Sequence, residues 1–298
     1  MEAPTANDEY LFYQTLTGAW PLGASLEQPP SSFVERVRGY MLKAIREAKD
    51  QTSWNSQNQR YEEAVANFVD SVVQSRDFRE AFLPFQQKVT HLGMLNSLAQ
   101  TLIKLTVPGV PDLYQGNELW KFDLVDPDNR RAVDYSVHQT LLQQLQSGID
   151  EWGSAAVASE LLQHPSDGRI KLYVIWKLLG LRNHYRDLFR DGNYLPLETV
   201  GEHANHVLAF ARTDQSESVI VAVPRLSARL LKGDLPLRPG CNVWDDTRIQ
   251  FSFSSGKLFR NLFSGSCVRA RKNGEVSELS AGELFADFPI ALLIAATE

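Results

Sequence analysis

The residues best equipped for chemistry lie between Val107 and Asp134, in the segment VPGVPDLYQGNELWKFDLVDPDNRRAVD. Gln115, Glu118, Asp123, Asp126, Asp128, Asn129, Arg130 and Arg131 follow one another there, interleaved with Trp120 and Phe122. Carboxylates, amides and guanidinium groups beside aromatic rings suit a polyhydroxylated ligand, because ring faces cover a sugar while the polar groups fix its hydroxyls. A charged surface loop with internal Asp–Arg pairs fits the same residues. Arg130 and Arg131 cannot face the same way on an extended segment, so at least one of them is expected to be structural. Upstream, Pro108-Gly109 ends a helix, and Val110 to Tyr114 reads as a short buried strand that empties into the loop.

A second group is Arg46, Lys49 and Trp54. The first two are three residues apart on a helix, hence on one face, and Trp54 lies past its end. A solvated helix face is the plain reading of that spacing and ligand contact the sharper one. Trp20 and Trp176 read as packing residues. His203 and His206 have no carboxylate or cysteine cluster nearby in sequence to complete a zinc set, so no metal is expected. Neither a glycine-rich phosphate loop nor a Ser/His/Asp arrangement is present.

The first two-thirds of the chain has helical spacing. Ser32 and Glu35 form a capping-box pattern ahead of Phe33, Val37, Tyr40, Met41, Ala44 and Ala48. A second helix carries Tyr61, Val65, Phe68, Val69 and Val72. A third opens at Asp77 and Glu80 and runs to about Thr106, with an interruption expected at Pro84. A short helix over Val137 to Leu145 follows the polar loop, then a helix and connector, then one long amphipathic helix from Ile170 to Leu188. From about Val207 the pattern changes to short apolar runs (HVLAFAR, SVIVAVPR, NVWDD, RIQFSF, SCVRAR, PIALLIA) separated by turn residues, the signature of an antiparallel β-domain. The expected boundaries are 1–200 for the helical part and 205–298 for the β part.

The chain has 298 residues, 43% of them hydrophobic and 22% charged, an ordinary globular composition. A net charge of −6 and the lack of any lysine–arginine block argue against a nucleic-acid partner. The longest apolar run, Pro289 to Ala296, is too short to cross a bilayer. No secretory pattern is visible, so the cytoplasm is the default compartment. The two cysteines, Cys241 and Cys267, read as reduced packing residues.

PGVPDLYQGNEL resembles the last barrel strand of the α-amylase family of glycoside hydrolases, with its Gly-x-Glu loop. LVDPDNRRAVDY is similar to a narrower branch, which forms trehalosyl ends on maltooligosaccharides. The same holds for EYLFYQTLTGAWPL (9–22), KAIREAKDQTSW (43–54) with Tyr61-Glu62, GMLNSLAQTLIKLTVPGVPD (93–112), RIKLYVIWKLLGLRNHYRDLFRDGNYLPL (169–197) and HVLAFAR (206–212), all in the same order. Ala132 departs from the pattern, which favours proline there.

The resemblance implies an α+β fragment: helices and the last strand of a (β/α)8 barrel, with that strand near 110–114, followed by an antiparallel β-sandwich. It implies an isomerase, an intramolecular transglucosylase that converts the reducing-end α-1,4 bond into an α,α-1,1 bond without a cofactor. Gln115, Glu118, Asp126, Asp128, Asn129, Arg130, Arg131, Arg46, Lys49 and Trp54 become its candidate substrate-binding residues. Such enzymes use a carboxylate nucleophile, a separate carboxylic acid and an aspartate in a His-Asp motif. The sequence has no His-Asp dipeptide. The catalytic trio is therefore expected in a missing amino-terminal part, which would be the partner, and this chain alone is expected to be inactive. A non-catalytic glucan-binding or scaffolding fragment and a plain α-glucan hydrolase remain the rival readings.

Overall fold

The computed structural model describes residues 3–23, 26–27, 29–231, 240–253 and 258–296. They group into two compact units: Met1–Thr90 with Lys121–Val133, and His91–Trp120 with Asp134–Glu298. The sheets thus share a unit with several helices, whereas a boundary at 200–205 would separate them.

The first unit is helical. Helices α1 (Ala6–Ala19), α2 (Ser31–Ala48), α3 (Gln59–Gln74) and the first half of α4 (Arg76–Thr106) turn apolar stripes to one core. Phe12, Leu16, Trp20, Phe33, Val37, Met41, Ile45, Tyr61, Val65 and Val69 form it. Trp20 is a packing residue, as expected, set edge-on to Phe33 and Phe82. The anticipated capping box does not form. Helix α2 starts at Ser31 with Pro30 at its N-cap, and no side chain caps it, because the proline ring has no oxygen to accept from the first amides. Pro84 does not interrupt α4. Its neighbours Phe82, stacked on Phe78, and buried Leu83 hold the helix through the missing hydrogen bond.

In the second unit, α5 (Tyr135–Gln163) spans both the expected short helix and its connector. It is kinked at Gly153, whose φ of 80° and ψ of 166° are accessible to glycine. The expected long helix is two, α6 (Arg169–His184) and α7 (Arg186–Asp191), parted at Tyr185. The strands are β1 (Asn193–Pro196), β2 (Glu198–Val200), β3 (Val207–Thr213), β4 (Ser218–Pro224), β5 (Arg248–Phe251), β6 (Leu258–Asn261), β7 (Cys267–Arg269), β8 (Arg271–Asn273), β9 (Val276–Ser280) and β10 (Ala291–Ala295). They make a six-stranded sheet ordered β1-β3-β4-β10-β6-β7 and a four-stranded sheet ordered β2-β5-β9-β8, with antiparallel pairing between neighbours. NVWDD is not a strand but holds a short 3-10 turn at Cys241–Val243.

Both sheets feed one core. Ala209, Ala211, Ile220, Ala222 and Leu293 meet Ile249, Phe251 and Leu279 there. The register sets Ala209 opposite Ala222 and Ala211 opposite Ile220 on the face turned to this core. The alternate residues Phe210 and Arg212 point from the opposite face of β3. Both faces of β3 and β4 are therefore buried, which is why SVIVAV reads as an unbroken apolar run.

The segment Val110 to Tyr114 corrects the reading of a strand. It forms no strand, with Val110 99% exposed. A strand needs partners for its backbone groups, and no described strand pairs with it. Cys267 is exposed rather than packed, and the side chain of Cys241 lies outside the described residues. No helix among the described residues is long and apolar enough to cross a membrane.

Arg212 fastens sheet to helices. Its guanidinium is buried and donates to the carbonyls of Thr106 at 3.1 Å, Leu188 at 3.0 Å, Phe189 at 3.2 Å, Gly192 at 2.8 Å and Asn193 at 3.3 Å. Replacing Arg212 by Met should cost on the order of 3 kcal/mol, because several buried carbonyls lose their donor together. The urea midpoint should fall at constant slope, and Arg212→Lys should recover only part of it. An unchanged midpoint for Arg212→Met would contradict this account.

Candidate functional site

In the first unit, α2 scaffolds the segment Lys121–Val133. Arg36 and Lys43, two turns apart on one face, both reach it. Arg36 forks onto Asp128, Nε to Oδ1 at 2.8 Å and Nη2 to Oδ2 at 2.8 Å, and also donates to the Phe122 carbonyl at 2.6 Å. Lys43 donates to the Asp126 carbonyl at 2.5 Å. The Leu124 amide donates to Asp128 Oδ2 at 2.7 Å, and Arg131 Nε lies 3.0 Å from Oδ1. Burial pushes the Asp128 carboxyl up, but Arg36, the Leu124 amide and Arg131 outweigh it and hold the group below its ordinary value. Asp128 is thus the hub of the segment.

The remaining candidates in this unit arrange themselves around that hub. A 3-10 turn over Asp128–Arg130 replaces the extended segment, so the arginine pair parts. Arg130 pairs with Asp126 and is largely exposed, while Arg131 reaches Asp123 at 2.6 Å with half its side chain in solvent. Asn129 buries its Oδ1 without a hydrogen-bond partner.

Arg46 forks onto buried Glu62, Nε to Oε1 at 2.9 Å and Nη2 to Oε2 at 2.6 Å, where Thr52 adds a bond of 2.7 Å. The Arg46 hydrogen bonds hold the Glu62 carboxyl below its ordinary value against the cost of burial. The guanidinium carbon lies 4.9 Å from the centre of the Trp54 ring, which is half exposed. Lys49 takes no part: it is the exposed left-handed residue that ends α2.

The second unit holds Gln115 and Glu118, on a turn at 115–118. Gln115 is exposed. Glu118 Oε2 lies 3.7 Å from His138 Nε2, and both atoms are buried without a hydrogen bond. Next to this turn, Lys171 donates to the Leu119 carbonyl at 3.4 Å and sits over the Trp120 ring at 5.6 Å. Burial, with Lys104 nearby, brings its pKa down to about 8. Trp120 Nε1 is tied to the Pro165 carbonyl at 2.6 Å. Gly168 allows this closeness, since a Cβ there would stand 3.1 Å from the Trp120 nitrogen.

Several partners of the candidate residues escaped the sequence reading. Arg36 and Lys43 carried a detectable signal, two cations on one face of α2. Asp245 did not: it lies far along the chain from His203, yet its Oδ2 sits 3.0 Å from His203 Nε2, with Glu202 beside them. The expectation that no carboxylates gather at His203 is thereby corrected. Trp176 is half-buried on α6.

No family model matches the chain. A Mycobacterium tuberculosis protein with the provisional name maltooligosyl trehalose synthase is 34% identical over 299 residues, covering 98% of this chain and 32% of that protein. The chain is homologous to the maltooligosyl trehalose synthases. The structure of maltooligosyltrehalose synthase from Arthrobacter ramosus superposes with a TM-score of 0.75 at 31% identity, covering 97% of this chain and 32% of that one. A hypothetical maltooligosyl trehalose synthase from Sulfolobus tokodaii gives 0.62 at 26%, with 97% and 32% covered. The chain spans about a third of the length of these synthases.

Replacing Asp128 by Ala should lower stability by about 2–3 kcal/mol, because it strands Arg36 and the Leu124 amide. The pH dependence has a definite sign. A carboxyl held below its ordinary value of 3.8 contributes fully above that pH and loses its contribution as pH falls through the native pKa. Urea midpoints at pH 7 and pH 3 should therefore drop less for Asp128→Asn than for the parent. An equal drop would remove Asp128 from this role.

Proposed function

We propose that the chain is the carboxyl-terminal part of an intramolecular transglucosylase of the α-amylase family, acting on maltooligosaccharides. The carrying observation is its collinear homology to maltooligosyl trehalose synthases over nearly its whole length. The reading implies a barrel end followed by a β-sandwich, and strand pairing for Val110 to Tyr114 supplied by an amino-terminal part.

In the proposed reaction a carboxylate outside this chain attacks the anomeric carbon at the terminal α-1,4 bond. The reducing-end glucose leaves as its oxygen is protonated. It then turns within the pocket, and its anomeric hydroxyl attacks the glycosyl-enzyme while giving its proton back to the group that protonated the leaving oxygen, closing an α,α-1,1 bond and freeing the carboxylate. Water would intercept the intermediate, so the pocket must hold the glucose tightly while it turns.

This chain's contribution is one wall of that pocket. The geometry divides the candidates. Asp128 and Arg46 hold their surroundings in place and act as positioning residues, while Asp126 and Asn129 lie within the same segment. Gln115, Glu118, Arg130, Arg131 and Trp54 present polar or aromatic surface that a sugar could use, and we assign substrate contact to Glu118 and Arg131 first. Lys49, exposed and apart from both networks, is the weakest candidate.

Two measurements test the reading. The purified chain, incubated with maltopentaose, should yield neither trehalosyl product nor free glucose, because no nucleophile–acid pair is available. Sustained turnover of either product would overturn the placement of the catalytic carboxylates elsewhere. In a full-length enzyme carrying this segment, Glu118→Ala and Arg131→Ala should each slow synthesis roughly ten- to a hundredfold, the scale of one lost charged hydrogen bond. The share of hydrolysis should rise as well, since a loosened glucose escapes before it turns. Parental rates and product ratio in both variants at parental stability would make the loop structural.

A further inference from the structure

The second unit carries a cleft that the loop chemistry does not use. It opens at the α5 kink, against β6 and the turn leading to β7. Its volume is about 620 Å³, and a neighbouring hollow of about 480 Å³ shares Ser154 and Arg260 with it. Together they are roomy enough for a short oligosaccharide.

Its lining is unusual in what it leaves unpaired. Trp152 is 62% exposed and stacks on no other ring among the described residues. The Cε3–Cζ3 edge of its indole packs near Gly148, and the Gly153 kink follows directly after it at the cleft mouth. Arg260 and Asp287 line the same cleft, and neither side chain has an ion-pair or hydrogen-bond partner among the described residues. Ser159 and Ser154 add hydroxyls.

We propose that this cleft is a glucan-binding site, in which Trp152 stacks on a glucose ring and Arg260, Asp287 and the serines hydrogen-bond its hydroxyls. A sugar hydroxyl both donates and accepts, so it can use a guanidinium and a carboxylate together. An anion would find Arg260, with Lys177 in the neighbouring hollow, but also the repelling Asp287 carboxylate, and the phosphate titration below tests that alternative. A purely apolar partner would leave both charges buried and unpaired. The choice of α-linked glucose rests on the proposed function of the chain, and the residues involved lie outside the 115–131 loop.

The test uses the whole 298-residue chain and titrates maltoheptaose by calorimetry, with cellohexaose and inorganic phosphate as parallel probes. Maltoheptaose should bind, and Trp152→Ala should weaken it at least about tenfold, the scale of losing an aromatic anchor. Trp152→Phe should retain most of the affinity, and Arg260→Ala should weaken binding at unchanged thermal midpoint. Trp152 is exposed enough for its replacement to leave the fold intact, which the thermal midpoint checks. Three results overturn the proposal: no binding of maltoheptaose, undiminished binding by Trp152→Ala, or saturable binding of phosphate alone. Equal binding of cellohexaose overturns only the α-glucan assignment. Because binding by this chain and turnover by a full-length enzyme are read separately, either reading can fail while the other stands.

Discussion

A guanidinium without a carboxylate partner organises the second unit. Arg212 points from β3 into the space where α4 and α7 end, and its donors meet carbonyls at those ends, of which Leu188's also accepts from the Gly192 amide. Helix carboxyl ends carry partial negative charge, so the cation is stabilised by dipoles rather than by a counter-ion. Arg182, bonded to the Leu105 carbonyl at 2.7 Å, reinforces the same end of α4. Pro108-Gly109 ends α4, and these two side chains bond the carbonyls left at that end. Sheet, helices and the entry to the loop are one mechanical assembly.

Charge serves a second purpose in the first unit. Asp128 and Glu62 each accept a forked guanidinium, from Arg36 and Arg46, and each ties α2 to a different segment. Planar bidentate pairing fixes orientation as well as distance, which a lysine would not do. These pairs hold the backbone while Trp54 and Arg131 stay half in solvent. Internal ion pairs therefore account for much of the loop's charge, Arg130 and Arg131 included.

Helices α2 and α3 were legible because one stripe of Phe33, Val37 and Met41, and another of Tyr61, Val65 and Val69, repeats at helical spacing. So were β3, β4 and β10, whose apolar runs need burial on both faces. The short polar strands β1, β2, β6, β8 and β9 were not, since NYLP or VSELS carries too few apolar residues to declare a period, and their pairing comes from neighbours distant in sequence. In the candidate site, the residue types and their clustering after Pro111 were readable. Their partners were not: whether Arg131 meets Asp123 or a ligand depends on a 3-10 turn that spacing does not encode. Likewise, His203 looked solitary because Asp245 reaches it only through the fold.

The run from Val110 to Leu113 carries a kinetic consequence, since Val110 is fully exposed and no described strand pairs with it. Apolar backbone of that kind accepts whatever strand first matches it. If its neighbours come from an amino-terminal part, as proposed, they arrive late, because closing a long loop precedes any gain from pairing. In that interval the segment is a template for a second copy of itself as readily as for the proposed neighbour. Crowding during synthesis, more than equilibrium stability, would then decide between soluble protein and aggregate.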